Sequence, residues 1–266
     1  MHGIKGGIAV GKIIAVFNQK GGVGKTTTNV NLSACIGKLG KKTLVIDLDP
    51  QGNTTSGFGV DKKELEFTIY DVLLGEKDIK ETIIETEFDN ISLLSSSTEL
   101  AGAEIELTGI ENREFILKNV LDSVKDDYDY IFVDCPPSLG MLTINSLVAV
   151  DSVLIPIQCE YYALEGVSQL MQTISLVKEN LNPNLEIQGV VLSMFDGRAN
   201  LSIQVVEEVK KFFKGSVYTT IVPRNVRLAE APSHGKPVVY YDSKCKGSLA
   251  YIDLAEEFID LEEDVI

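Results

Sequence analysis

Four cysteines, Cys35, Cys135, Cys159 and Cys245, are scattered over 266 residues without a Cys-x-x-Cys pair. That absence excludes a disulfide framework and argues against a zinc or iron–sulfur centre supplied by one chain; it fits a reducing, cytoplasmic setting. Long apolar runs are missing too. No window approaches the roughly 20 residues of a membrane span, and Met1-His2-Gly3-Ile4-Lys5-Gly6-Gly7 carries no targeting segment. Residues 1–11 read as a short flexible leader. No repeat, low-complexity tract or Pro/Gly-rich linker divides the rest, so 12–266 is expected to form a single domain. Positive charge is scarce: 24 Lys and Arg against 39 Asp and Glu give a formal net charge of −15, which disfavours nucleic acid as a partner. The deficit is uneven, however. Met194 to Ala250 holds nine basic and five acidic residues, a balance of +4 that leaves −19 elsewhere. A basic stripe on an acidic body is compatible with that distribution.

What is present is ordinary for a globular protein, with 44% hydrophobic and 24% charged residues. Short apolar runs alternate with segments of helical period. Residues 12–17, 43–46, 91–94, 130–133, 153–157 and 187–194 read as strands, and 26–39, 113–124, 164–178, 202–213 and 250–261 as helices. Continuous apolar strands alternating with helices predict an α/β fold: a mostly parallel twisted sheet with helices on both faces.

The first strand runs into Lys20-Gly21-Gly22-Val23-Gly24-Lys25-Thr26-Thr27, and a helix follows. A glycine loop between strand and helix is the context in which backbone N–H groups converge on one anion, and it makes the expected fold one of P-loop NTPase type. Gly21, Gly22 and Gly24 permit the turn, and the helix beginning at Thr26 adds its dipole. Lys25 would reach the β- and γ-phosphates of ATP, and the Thr26 hydroxyl would ligate Mg²⁺. The standard G-x-x-x-x-G-K-T pattern fails because Gln19 stands at its first glycine. A second lysine, Lys20, precedes the glycines. It is too far from its own loop's γ-phosphate, but in a face-to-face dimer it could act across the interface as an arginine finger does. Asp134 ends one apolar run and suits the Mg²⁺ side of the site. Asp47 and Asp49 end another, where one can hold metal-bound waters or Lys20 and the other can orient the attacking water. Asp49, past the strand end in a loop that reads as mobile, is assigned the water and is counted with Thr26 and Asp134 in the metal site.

These residues carry a resemblance. With Asp47-Leu48-Asp49-Pro50-Gln51-Gly52-Asn53, Asp134-Cys135-Pro136-Pro137-Ser138-Leu139, Cys159 to Gly166 and Ile221 to Pro232, the chain from Lys12 onward resembles the ParA/Soj family of chromosome- and plasmid-partitioning ATPases, within the deviant Walker A class that also includes MinD. The resemblance implies an ATP-bridged homodimer with Lys20 acting across the interface and Asp49 needed for hydrolysis. It implies ATP-dependent, sequence-independent binding of double-stranded DNA at the nucleoid, and release through hydrolysis stimulated by a ParB-type partner. Gly21 matches a position where a larger side chain would block dimer closure, Pro223 and Asn225 match positions bordering adenine, and Arg198 and Arg227 match arginines that contact DNA. Arg224 joins them from its place three residues before Arg227. An exposed helix face near Glu104–Asn119 is a candidate partner surface.

The residues alone support DNA binding less strongly. Arg198 follows a turn signal, Asp196-Gly197, and is expected to be exposed. Taken alone such arginines are more often solvated or structural, but a dimer places two +4 faces side by side and so makes a strip able to neutralise phosphates. A MinD-like membrane cycle would need a Lys/Arg-rich amphipathic tail, and Glu256 to Ile266 is acidic. An ATP-gated DNA-binding regulator of replication initiation or transcription is the alternative from another class.

Overall fold

The computed structural model describes residues 11–160 and 163–264; the expected leader, apart from Gly11, lies outside them. Eight strands form one sheet: β1 Lys12–Val16, β2 Thr43–Asp47, β3 Ile84–Glu85, β4 Ile91–Leu94, β5 Tyr130–Asp134, β6 Ser152–Gln158, β7 Glu186–Phe195 and β8 Val217–Pro223. Their order is β3-β4-β2-β5-β1-β6-β7-β8. Only β3 runs antiparallel, against β4, so the predicted mostly parallel sheet is what forms.

The helices are α1 Lys25–Lys38, α2 Asn53–Gly57, α3 Ile69–Leu73, α4 Ile79–Thr82, α5 Leu100–Glu106 and α6 Ile116–Leu121. They continue with α7 Met141–Ala149, α8 Ala163–Asn180, α9 Asn200–Phe213, α10 Val226–Glu230, α11 Val238–Tyr241 and α12 Lys246–Glu263. Alternation along the strands feeds two cores. Ile13, Ala15 and Phe17 pack on one face with Leu100, Leu117, Leu142 and Leu170. Ile14 and Val16 pack on the other with Leu32, Ile36, Leu254 and Phe258. The apolar face of α12 is thus committed to the sheet, and its Tyr251 hydroxyl meets the Thr28 hydroxyl of α1 at 3.1 Å.

The structure adds β3, β8, α2 to α5, α7 and α11 to the expected elements, and one expected helix is broken. The expected helix 113–124 is a 3₁₀ turn, Arg113–Phe115, followed by the shorter α6. It breaks because Asn145 of α7 takes over its terminal groups, accepting the Leu117 N–H at 3.1 Å and donating to the Arg113 carbonyl at 2.8 Å. Helix α7 itself was not expected. Nor was β8, an edge strand: the Glu257 carboxylate of α12 accepts the Thr219 and Thr220 N–H groups at 2.6 and 2.9 Å, occupying donors that an open edge would offer to another chain.

Candidate nucleotide site

β1 lies between β5 and β6 in the middle of the sheet, and the chain leaves its C-terminal end as the glycine loop, at the kind of crevice where open α/β sheets bind ligands. Gly22 (φ +76°) and Gly24 (φ +94°) take left-handed conformations, which a side chain would oppose. Two contacts hold the loop to the neighbouring strands and a third braces it internally. Asn18 donates to the Pro156 carbonyl at 2.8 Å and accepts the Lys20 N–H at 3.0 Å, while Ser193 donates to the Val23 carbonyl at 2.8 Å. Helix α1 starts with neither a capping side chain nor an acidic residue in its first turn. Its N–H groups and dipole therefore face the loop uncompensated, as an anion site requires. Lys25, only 7% exposed, donates to the Lys20 carbonyl at 3.2 Å. Burial lowers its pKa, and the Asp134 charge is the first of those that oppose the shift.

The register aligns Asp134 with Val16 on one side and Asp47 on the other. The two carboxylates do different work. Asp47 is fully engaged: one oxygen accepts both the N–H and the hydroxyl of Thr55 at 2.7 Å, and the other accepts the Asp49 N–H at 3.2 Å. It anchors the start of α2. Asp134 accepts the Thr54 hydroxyl at 2.8 Å, the Thr26 hydroxyl also lies close enough to favour its charged form, and its Oδ1 is buried without a hydrogen-bond partner. Burial pushes both carboxyls above the usual range, and for Asp134 the neighbouring Asp47 charge adds to the rise. Asp49 is half-buried. Its loop is braced rather than loose: the Asp49 carbonyl accepts the Gly52 N–H and the Ser96 hydroxyl, and its carboxylate accepts the Gln51 N–H. Among the described residues no three His, Cys, Asp or Glu side chains could hold a metal alone. A cation here would draw on one hydroxyl, from Thr26, the free oxygen of Asp134, and ligand phosphates, a donor set suited to Mg²⁺.

Beside the loop opens a cavity of about 210 Å³, lined by Gly24 and Thr27 on one side and by Met194, Pro223, Asn225 and Tyr251 on the other. Asn225 is held in place by accepting the Arg227 N–H at 2.8 Å to cap α10. Met194 has φ +53°, an uncommon conformation that turns the chain at the cavity wall. Ser193, Met194, Tyr251 and Thr54 escaped sequence reading, since no local pattern marks them and only the sheet brings them here. Gly21 lies at the exposed tip, and a Cβ added there meets nothing within 4 Å. Lys20 is half-buried, with no ion-pair partner among the described residues.

The three arginines expected to meet DNA stand near the same end of the sheet, Arg224 on the cavity wall itself, and each is ion-paired. Arg198 pairs with Asp196 at 2.8 Å, Arg224 with Glu160 at 3.3 Å, and Arg227 with Glu230 at 2.7 Å and Asp242 at 3.4 Å. The free cationic strip expected of them is, in this chain, neutralised side chain by side chain.

A family model described as an AAA domain matches residues 11–187. The sporulation initiation inhibitor protein Soj of Bacillus subtilis is 57% identical over 248 residues, covering 93% of this chain and 98% of its own length. The chromosome partitioning protein ParA of Myxococcus xanthus is 52% identical over 258 residues, covering 97% and 91%. Among solved structures, cobyrinic acid a,c-diamide synthase from Mycobacterium smegmatis, with bound ATP analog and magnesium, superposes with a TM-score of 0.82 at 36% identity over 93% of each chain.

Proposed function

The chain belongs to the Soj/ParA family of chromosome-partitioning proteins, and on that premise we propose that it is a Mg²⁺-dependent ATPase of DNA partitioning that works as an ATP-bridged homodimer. The observation that carries the reading is the unpartnered Asp134 Oδ1 standing beside a left-handed glycine loop, an uncapped helix start and a nucleoside-sized cavity. Each of these lacks something that a nucleotide–metal complex supplies: an electrophile, an anion and an apolar base.

Gly21, Gly22, Val23, Gly24, Thr26 and Thr27 would cradle the phosphates with Lys25, and Pro223 and Asn225 would border the base. Thr26 and Asp134 would hold the Mg²⁺, with Asp49 at the γ side. The metal would neutralise charge developing on the phosphates. Asp49 orients the attacking water; its braced backbone and half-exposed carboxylate support that role over Asp47, whose oxygens are spent on Thr55 and Asp49. Lys20 acts on the nucleotide of the second copy. Its lack of an ion-pair partner and its place behind the exposed Gly21 tip support this reading.

The dimer binds duplex DNA without reading sequence, which places it on the nucleoid in the cytoplasm, and a ParB-type partner stimulates hydrolysis and release. No helix among the described residues is long and apolar enough to cross a membrane. The partner surface considered near Glu104–Asn119 is not one helix face: it runs over the end of α5, two 3₁₀ turns and the start of α6, and Glu104 is engaged in accepting the Met141 and Leu142 N–H groups. Light scattering of wild type and Asp49→Ala with ATP and with ADP tests the mechanism. An ATP-specific dimer that persists in the variant, with turnover lost, is expected; a monomer under every condition would refute it.

A further inference from the structure

Resting on that reading of a DNA-binding face, we propose that Asp196, Glu160, Glu230 and Asp242 hold the arginines of this face in the place of DNA phosphates, so that duplex binding proceeds by exchange of carboxylate for phosphate. Arg198 shows the arrangement most fully. Its side chain is 91% exposed, yet Asp196 accepts from Nε at 2.9 Å, from Nη2 at 2.8 Å and from the Arg198 backbone N–H at 3.1 Å. The guanidinium beside it draws the Asp196 carboxyl down to about 2. Arg224 belongs to the same patch, since its N–H donates to the Phe195 carbonyl at 3.1 Å and its charge reaches Asp196. Arg227 is shared between Glu230 and Asp242. Three arginines thus face four carboxylates. Lys210, Lys214, Lys236, Lys244 and Lys246, all exposed, have no ion-pair partner among the described residues.

A guanidinium offers phosphate the same planar fork of N–H donors that it offers a carboxylate. The internal carboxylates therefore occupy the groups a phosphate would use, and in a geometry that keeps those groups oriented. Exposed ion pairs are weak, and duplex DNA presents a dense line of charge that can displace them. Each exchange nevertheless leaves a carboxylate facing the backbone. One face then binds weakly, and two faces joined by ATP are needed for occupancy, so that the acidic residues set how strictly DNA binding follows the nucleotide.

The test is fluorescence anisotropy of a labelled random-sequence duplex, titrated across a salt series with ATP and with ADP. Asp196→Asn keeps the acceptor for the Arg198 N–H and removes the charge. It is expected to tighten binding by up to about fivefold and to steepen the slope of log affinity against log salt by about 0.9. Glu230→Gln combined with Asp242→Asn is expected to act alike through Arg227. Glu207→Gln, an exposed and unpaired carboxylate on α9, should change neither quantity, and Asp196→Asn should lose its effect in an Arg198→Ala background. An unaltered Asp196→Asn, an equal gain from Glu207→Gln, or a gain that survives Arg198→Ala would each overturn the inference. A wild type that ignores the duplex with ATP is a different failure, that of the DNA-binding reading itself.

Discussion

Replacing Asp134 by asparagine is expected to stabilise the protein when metal and nucleotide are absent. Asp134 is 0% exposed, one of its oxygens accepts the Thr54 hydroxyl and the other is buried without a hydrogen-bond partner, and Asp47 stands opposite it in the sheet. A buried polar group left without a partner carries an uncompensated desolvation cost of about 1–3 kcal/mol, more when charged. The sign of the pH dependence follows from the raised carboxyl. Between about pH 4, where an unfolded aspartate titrates, and the higher value in the fold, the native chain binds more protons than the unfolded chain. Its stability therefore falls as pH rises through that window. Asp134→Asn removes one of the two groups responsible, and Asp47 keeps part of the slope. At about pH 8 in EDTA the variant should be more stable by about 1–3 kcal/mol, which raises Tm by about 2–4 °C per kcal/mol for a chain of this size. Scanning calorimetry from about pH 5.5 to pH 8 measures both effects, with the wild-type curve declining more steeply. A lower Tm for the variant at pH 8, or parallel curves, would refute the reasoning. On the proposed reading, in which this carboxylate holds the metal, hydrolysis should be lost in the same variant.

The two loop glycines should separate cleanly. Gly22→Ala forces a side chain into a left-handed conformation, costing about 1–2 kcal/mol, so a fluorescent ATP analogue should bind about 5- to 30-fold more weakly. Gly21→Val, with open space around the added atoms, should leave that affinity nearly unchanged and abolish the ATP-specific dimer seen by light scattering. Tyr251→Phe strands the buried Thr28 hydroxyl and should cost about 1–2 kcal/mol, read as a lower denaturation midpoint with an unchanged m-value. Glu257→Ala exposes two edge N–H groups to water and should cost about 1 kcal/mol; sedimentation velocity should show concentration-dependent association absent from the wild type.

How much of this was legible in the sequence depended on how local the determinants are. The phosphate loop is eight consecutive residues whose glycines and lysine act on one another, so it could be read directly. Strands β1, β2 and β5, apolar on both faces, were equally plain. β8 was not, because an edge strand carrying Thr219 and Thr220 and ending at Pro223 needs only one neighbour, and Glu257, 37 residues on, replaces the other. Helix α7 was obscured by Thr143 and Asn145, which look solvent-seeking until the Ser138 and Arg113 carbonyls are seen to accept from them. Asp47 and Asp49 stand two residues apart on one strand end, and only the return of Thr55 marks Asp47 as an anchor. The arginines were visible as charges. Their neutralisation was not, because Glu160 reaches Arg224 across 64 residues of chain.

The wall of the nucleoside cavity has a consequence in time. Its phosphate side is complete by Thr27, whereas Pro223, Asn225 and Tyr251 come some two hundred residues later. At ribosomal rates of 5–20 residues per second, the interval from Thr27 to Tyr251 is roughly 10–45 s. Through that interval a nascent chain carries the loop without its base pocket, first without and later with the Pro156 and Ser193 contacts that hold the loop, and the Thr28–Tyr251 bond that joins first helix to last cannot yet form. Nucleotide capture is then a late event of synthesis, and a ribosome-bound chain stalled before Tyr251 should not retain ATP.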